Sequence, residues 1–113
     1  MENCIVKIKT MNIFKQLFGG SEPVDLKPII EEGALLVDVR TASEFAQGHV
    51  KGSVNIPLDQ VPAKLPEFKN HKNIVVFCRS GNRSSQAKAI LEQNGFTNVI
   101  NGGTWEDVNQ FVK

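Results

Sequence analysis

The stretch "NIVVFCRSGNRSS", residues 73–85, decides the fold class because it joins an apolar run to a polar, glycine-containing loop. Residues 73–78 are continuously apolar after the first, which predicts a strand buried on both faces of a sheet. The residues that follow the loop, 84–94, have helical apolar spacing and end at Gly95, so they predict a helix. A buried strand that leads through a short loop into a helix is typical of an α/β domain.

The rest of the chain repeats this alternation of strands and helices. Strands are predicted at 34–39, 53–57 and 98–100, and helices at 24–32, 58–65 and 104–112. A further helix is predicted after Thr41, since Thr41 and Glu44 have the spacing of a capping box. The alternation predicts an α/β domain whose mainly parallel sheet is covered by helices on both faces.

The bulk properties are those of one ordinary globular domain. The chain has 113 residues and a net charge of +1, so we expect neither a nucleic-acid nor a membrane partner. Residues 1–22 are interpreted as an N-terminal tail that can form a short helix, and residues 23–113 as the domain. The tail is interrupted by lysines and lacks the apolar core of a secretory signal, which predicts a cytoplasmic protein.

The number and spacing of the cysteines limit the kinds of site that the chain can form. The two cysteines, Cys4 and Cys78, have no metal-ligand spacing, so we expect no metal and no cofactor. Two free thiols in a reducing compartment are favoured over a disulfide. A role for Cys4 as a resolving thiol for Cys78 stays open.

Cys78 lies where a ligand binds in an α/β sheet, at the end of a strand and before a helix. The free N–H groups and positive dipole of a helix N-terminus favour a thiolate over a thiol. Gly81 and Asn82 allow the backbone to curl so that N–H groups point inward, and Ser84 can cap the helix or donate its hydroxyl to the sulfur. The alternative is an inert buried cysteine, which such positions commonly hold.

The charges around Cys78 favour an anion. From Phe68 to Leu91 there is no acidic residue, and the basic residues there include Arg79 and Arg83. Arginine offers permanent charge and a fork of donors that suits an anion with several oxygens. These neighbours favour a catalytic Cys78 over a merely buried one.

Three stretches resemble signatures of the rhodanese-like family of single-domain sulfurtransferases. "CRSGNRS" at 78–84 is similar to the active-site loop, "LLVDVRTASEFAQGHVKGSVNIPL" at 35–58 to the N-terminal signature, and "INGGTWEDV" at 100–108 to the C-terminal one. The resemblance spans about residues 24–112. It implies a three-layer α/β/α fold with a mainly parallel sheet of about five strands.

The resemblance also implies a reaction and a site. Cys78 would take sulfur from a thiosulfate-like anion as a persulfide and pass it to a thiol or cyanide. Asp38 and Arg40, within the N-terminal signature, would support the pocket. The substrate would contact the loop, whose residues are Arg79, Ser80, Gly81, Asn82, Arg83 and Ser84.

Other functions share parts of this pattern. A persulfide relay for a partner protein would use the same loop, while a non-catalytic binding module is disfavoured because Cys78 is retained. Phosphatases and arsenate reductases of similar fold use Cys-x5-Arg, whereas here Arg83 follows Cys78 after four residues and Ser84 occupies the arginine position. The shorter loop suits sulfur better than a phosphoryl group.

Overall fold

The computed structural model describes residues 25–112, so the predicted tail and its boundary at residue 23 lie outside the described residues. In these residues helices and strands alternate as expected. The α-helices are α1 (Leu26–Glu31), α2 (Ala42–Gln47), α3 (Asn82–Gln93) and α4 (Trp105–Asn109). The strands are β1 (Leu35–Asp38), β2 (Val54–Asn55), β3 (Ile74–Cys78) and β4 (Val99–Thr104).

The four strands form one parallel sheet in the order β2-β1-β3-β4. The α/β class and the parallel sheet are confirmed, whereas the expected number of about five strands is wrong for residues 25–112. The apolar runs within these residues supply only four strands, and the segments between them are helical, polar or rich in proline.

Both faces of the sheet are buried, which confirms the three layers. Alternate residues of the central strands point to opposite sides, as the period of a strand requires. Val37, Val76 and Cys78 face a cluster with Leu91 of α3. The opposite face carries a second cluster in which residues of β1 and β3 meet α1 and α4.

The segment between β2 and β3 differs from the prediction. Residues 58–65 were expected to form an α-helix, but Leu58–Phe68 is a 3₁₀ segment that is interrupted at Lys64. Pro62 and Pro66 lie inside it and have no N–H group to donate to a preceding carbonyl, so a regular α-helix cannot form there. Val61 and Phe68 still bury their side chains under the sheet.

A bulge in β4 shapes the end of the sheet beside Cys78. Val76 is paired with Asn101 but Phe77 with Gly103, so Gly102 is the extra residue. A Cβ atom at Gly102 would lie 2.9 Å from methyl groups of the buried Val75 and Val108, so a larger residue there would force these side chains to shift. The bulge brings Gly103 against the loop that follows Cys78.

Candidate active site

Cys78 is the last residue of β3, and its side chain is fully buried at the carboxyl end of the sheet. The chain then turns through Gly81, whose φ of 95° lies in the left-handed region that favours glycine. This turn aims the Gly81 N–H group at Cys78 Sγ, at a distance of 3.0 Å. The loop thus folds back over the sulfur atom.

Helix α3 begins two residues before the predicted start. Its N-cap is Gly81, with no side-chain cap, so of the two roles left open for Ser84 the helix cap is not observed. The first intrahelical bond runs from Ser85 N–H to the Gly81 carbonyl. The N–H group of Ser84 in the first turn therefore has no partner within the helix and is available to the sulfur.

The sulfur has a lowered pKa. Burial raises the pKa of the Cys78 thiol, but hydrogen bonds from the Ser84 hydroxyl and from the N–H groups of Ser84, Ser80 and Gly81 lower it. The hydrogen bonds outweigh burial, and the pKa of Cys78 lies below its ordinary value. The arrangement therefore favours the thiolate, which is the nucleophilic form of a cysteine.

The two loop arginines lie in different surroundings. Both terminal nitrogens of the Arg83 guanidinium donate to the Glu44 carboxylate, with N–O distances of 2.8 and 3.1 Å. Glu44 also forms the predicted capping box with Thr41. Arg79 is exposed and has no such partner among the described ion pairs. Of the two, Arg79 is the one whose charge is free to meet an anion.

A cavity of about 330 Å³ lies beside the loop. Arg79 contributes to its wall, together with residues of α2 and α4 and of the segments next to β1 and α2. The other lining residues are Arg40, Glu44, Gln47, Gly48, Trp105 and Glu106. Ser80 and Asn82 are exposed, so the loop is open to a reactant or to a partner protein.

Asp38 and Arg40 form a buried ion pair under this cavity. The Asp38 carboxylate is 0% exposed and accepts bonds of 2.7 to 3.0 Å from the Arg40 backbone and guanidinium. Arg40 also donates to the Gly48 carbonyl at 2.6 Å and lies over the Trp105 ring at 4.7 Å. The pair joins the end of β1 to α2 and α4.

Asn101 is a site residue that the sequence analysis missed. Its Oδ1 lies 2.7 Å from Ser84 Oγ, and Ser84 Oγ lies 3.6 Å from Cys78 Sγ. Asn101 lies within β4, opposite Val76 of β3, and its place in the sequence directly after the predicted strand at 98–100 was the available signal. The bulge follows Asn101 at Gly102, and a glycine inside a strand is a common sign of a bulge.

The pair of Glu44 and Arg83 predicts a dependence of stability on pH. The hydrogen bond from Arg83, followed by that from the Thr41 backbone, lowers the pKa of Glu44 to about 2. A carboxyl group with a lowered pKa stabilises the fold above its unfolded pKa of about 4.3, and this contribution is lost as the pH falls toward 2.

The variant Glu44→Gln measures this contribution. The Glu44 side chain is 27% exposed, so solvent screens the pair and we expect a loss of about 1 kcal/mol in the free energy of unfolding at pH 7. In urea titrations the difference from the unsubstituted protein should shrink between pH 4.5 and 2. Glu67→Gln, in an exposed pair with Lys64, is the control with little effect. A difference that stays constant over this range contradicts the assignment.

The chain was compared with known protein families. A model of the rhodanese-like domain matches residues 22–106, most of the chain. The chain belongs to the rhodanese-like family. The membership suggested by the three sequence signatures is therefore confirmed.

Its relatives include named sulfurtransferases. The chain is 38% identical over 81 residues to a sulfurtransferase of Allochromatium vinosum, covering 72% of this chain and 76% of that protein. It is 39% identical over 74 residues to the thiosulfate sulfurtransferase PspE of Escherichia coli, covering 64% and 71%. The prediction of a rhodanese-type sulfurtransferase is confirmed at the level of the family.

A solved structure agrees with the fold. An E. coli rhodanese, described with bound anions, superposes with a TM-score of 0.61 at 38% identity and covers 66% of this chain and 91% of its own. Within residues 25–112, no helix of this rhodanese-like chain has the length and apolar character needed to cross a membrane.

Proposed function

We propose that this protein is a sulfurtransferase that carries sulfane sulfur on Cys78 as a persulfide. The observation that supports this most is the contact of 3.0 Å between the Gly81 N–H group and the buried Cys78 sulfur, at the start of helix α3. Backbone N–H groups that converge on a sulfur atom stabilise a negative charge there without a cofactor. Such a site suits a reaction in which the sulfur is an anion before and after transfer.

The first half of the reaction loads the protein. The Cys78 thiolate attacks the outer sulfur of a donor such as thiosulfate and forms a new S–S bond. The S–S bond of the donor breaks, and its electron pair leaves with sulfite. Cys78 then carries a persulfide whose terminal sulfur is anionic.

The second half of the reaction transfers the sulfur from Cys78 to an acceptor. A nucleophilic acceptor, a thiolate or cyanide, attacks the terminal sulfur of the persulfide. The S–S bond to Cys78 breaks, its electron pair returns to the Cys78 sulfur, and the acceptor leaves as a persulfide or as thiocyanate. The thiolate is restored, so the cycle needs no oxidant or reductant.

The residues of the site have different roles in binding the donor and the transferred sulfur. The backbone N–H groups of Ser80, Gly81 and Ser84 hold the terminal sulfur. The exposed Arg79 offers its positive charge to an incoming anion. Arg83 would contact the donor only by giving up its bonds to Glu44, so its substrate contact stays a prediction. Asp38 and Arg40 would act through the shape of the cavity wall.

A persulfide relay is the second candidate. Arg79, Ser80 and Asn82 are exposed around the loop, so a desulfurase or a biosynthetic protein can approach Cys78 as readily as thiosulfate can. Both reactions need a reduced Cys78, which a reducing compartment such as the cytoplasm supplies. Faster loading from a protein persulfide than from thiosulfate would identify the relay.

Mass spectrometry after incubation with thiosulfate tests the carrier state. We expect one added sulfur atom, on the peptide that contains Cys78, and its loss when cyanide is added. The variant Cys4→Ser removes the other cysteine of the chain and should load equally. No added sulfur from either thiosulfate or a protein persulfide would overturn the proposal.

A further inference from the structure

Asn101 links the bulged strand β4 to the loop around Cys78. Its Oδ1 accepts a bond of 2.9 Å from the Gly103 N–H group. A backbone N–H group can only donate, so the atom that faces it must be the amide oxygen. This contact fixes the orientation of the Asn101 amide.

The orientation of Asn101 decides where the Ser84 proton lies. A hydroxyl has one hydrogen to donate, and Ser84 Oγ has three neighbours that can accept it. Asn101 Oδ1 is the nearest at 2.7 Å, followed by the Gly81 carbonyl at 3.1 Å and Cys78 Sγ at 3.6 Å. With its hydrogen on Asn101, Ser84 turns a lone pair to the sulfur and accepts from the Cys78 S–H group.

This arrangement fits a thiol and not a thiolate. When Cys78 loses its proton, the lone pair of Ser84 Oγ faces a negative sulfur, and the hydroxyl must rotate to donate to it. Asn101 Oδ1 then loses the Ser84 bond but keeps that from Gly103. The rotation leaves no buried polar atom without a partner.

We propose that Asn101 is a positioning residue that acts through Ser84: its amide oxygen holds the hydroxyl while the sulfur is protonated and releases it when the sulfur is charged. The acceptor of the Ser84 hydroxyl thus depends on the charge of the Cys78 sulfur. The inference rests on the proposed function only in that it treats Cys78 as the reacting group.

Few charged groups share this environment with Cys78. The hydrogen bond to Glu44 is the main cause that raises the pKa of Arg83 of α3, and a negative Cys78 sulfur adds to it. Asp38 of β1 is held by Arg40, and β4 contributes only the neutral Asn101. A charge introduced at position 101 would therefore be the first one in direct contact with Ser84.

The test is the pH profile of alkylation of Cys78 by iodoacetamide, followed by mass spectrometry of its peptide in the full chain. In Asn101→Ala the hydroxyl loses its strongest competitor for the sulfur, and we expect the pKa of Cys78 to fall by about half a unit. In Asn101→Asp a carboxylate holds the hydroxyl more tightly, and we expect a rise of about one unit.

The double variants with Ser84→Ala separate this role from general loosening of the loop. Without the hydroxyl, Asn101→Ala should leave the pKa of Cys78 unchanged, and Asn101→Asp should shift it by less than in the presence of Ser84. If Asn101→Ala only loosened the loop, the pKa of Cys78 would rise, because the hydrogen bonds from the loop N–H groups to the sulfur would be weakened. The distant Asn94→Ala, at the other end of α3, is the matched control with no expected shift.

Two outcomes would overturn the proposal. One is an unchanged or raised pKa in a folded Asn101→Ala variant. The other is an Asn101→Asp shift that is the same with and without Ser84. Sulfur loading is measured separately, so a protein that fails to take up sulfur but shows these shifts would refute the proposed function and leave the positioning role intact.

Discussion

Replacement of Cys78 by serine is expected to abolish sulfur transfer. The hydroxyl of serine is not ionised at neutral pH and cannot hold a sulfane sulfur, so neither half of the reaction can proceed. We expect transfer from thiosulfate to cyanide to fall by at least about a thousandfold, as when an enzyme loses its nucleophile. The protein should also take up no sulfur by mass.

The fold should survive this substitution, which makes the result interpretable. Serine is close to cysteine in size, and the Gly81 N–H group can donate to its oxygen as it does to the sulfur. Trp105, the sole tryptophan of the chain, reports the folded state by its fluorescence. Cys4→Ser is the matched control and should keep its rate. A folded Cys78→Ser variant that still transfers sulfur would refute the persulfide mechanism.

Asp38→Ala is expected to destabilise the fold strongly, because it breaks a buried ion pair. Removal of the carboxylate leaves the Arg40 guanidinium buried without its counter-charge, while Arg40 is only 4% exposed. Breaking one partner of a buried ion pair costs about 3–5 kcal/mol, which is a large share of the stability of a small domain. Urea titration followed by the fluorescence of Trp105 measures the loss.

The double variant Asp38→Ala/Arg40→Met tests the cause. If the loss comes from an unpaired charge, removing that charge as well should restore much of the stability. Glu67→Ala breaks an exposed pair with Lys64 and should cost at most about 1 kcal/mol. A double variant as unstable as Asp38→Ala alone would show that the loss comes from another source, such as the packing of Arg40 on Trp105.

The parts of the fold that follow from local patterns were predictable from the sequence. The apolar run before Cys78 predicted β3 within one residue, and the spacing of Thr41 and Glu44 predicted a capping box that the structure contains. These features depend on residues near one another in the chain. The α-helix predicted at 58–65 is instead an interrupted 3₁₀ segment because Pro62 and Pro66 cannot donate the backbone hydrogen bonds of a regular helix.

The contacts within the site were less predictable because they join distant parts of the chain. The sequence placed Arg83 and Glu44 in separate motifs, and only the packing of α2 against the loop brings them together. Asn101 reaches Ser84 because β4 lies beside β3 in the parallel sheet, with Asn101 paired to Val76. The approach of segments that are far apart in the chain has no local signature that a single sequence reveals.

The parallel order β2-β1-β3-β4 also has a consequence for the newly synthesised chain. Residues 35–38 pair with 74–77, so the centre of the sheet cannot close until β3 has left the ribosome. The groups that hold the Cys78 loop, at Asn101 and Gly103, are synthesised later still. The nascent chain therefore cannot complete the bond between Ser84 and Asn101 until β4 has emerged as well.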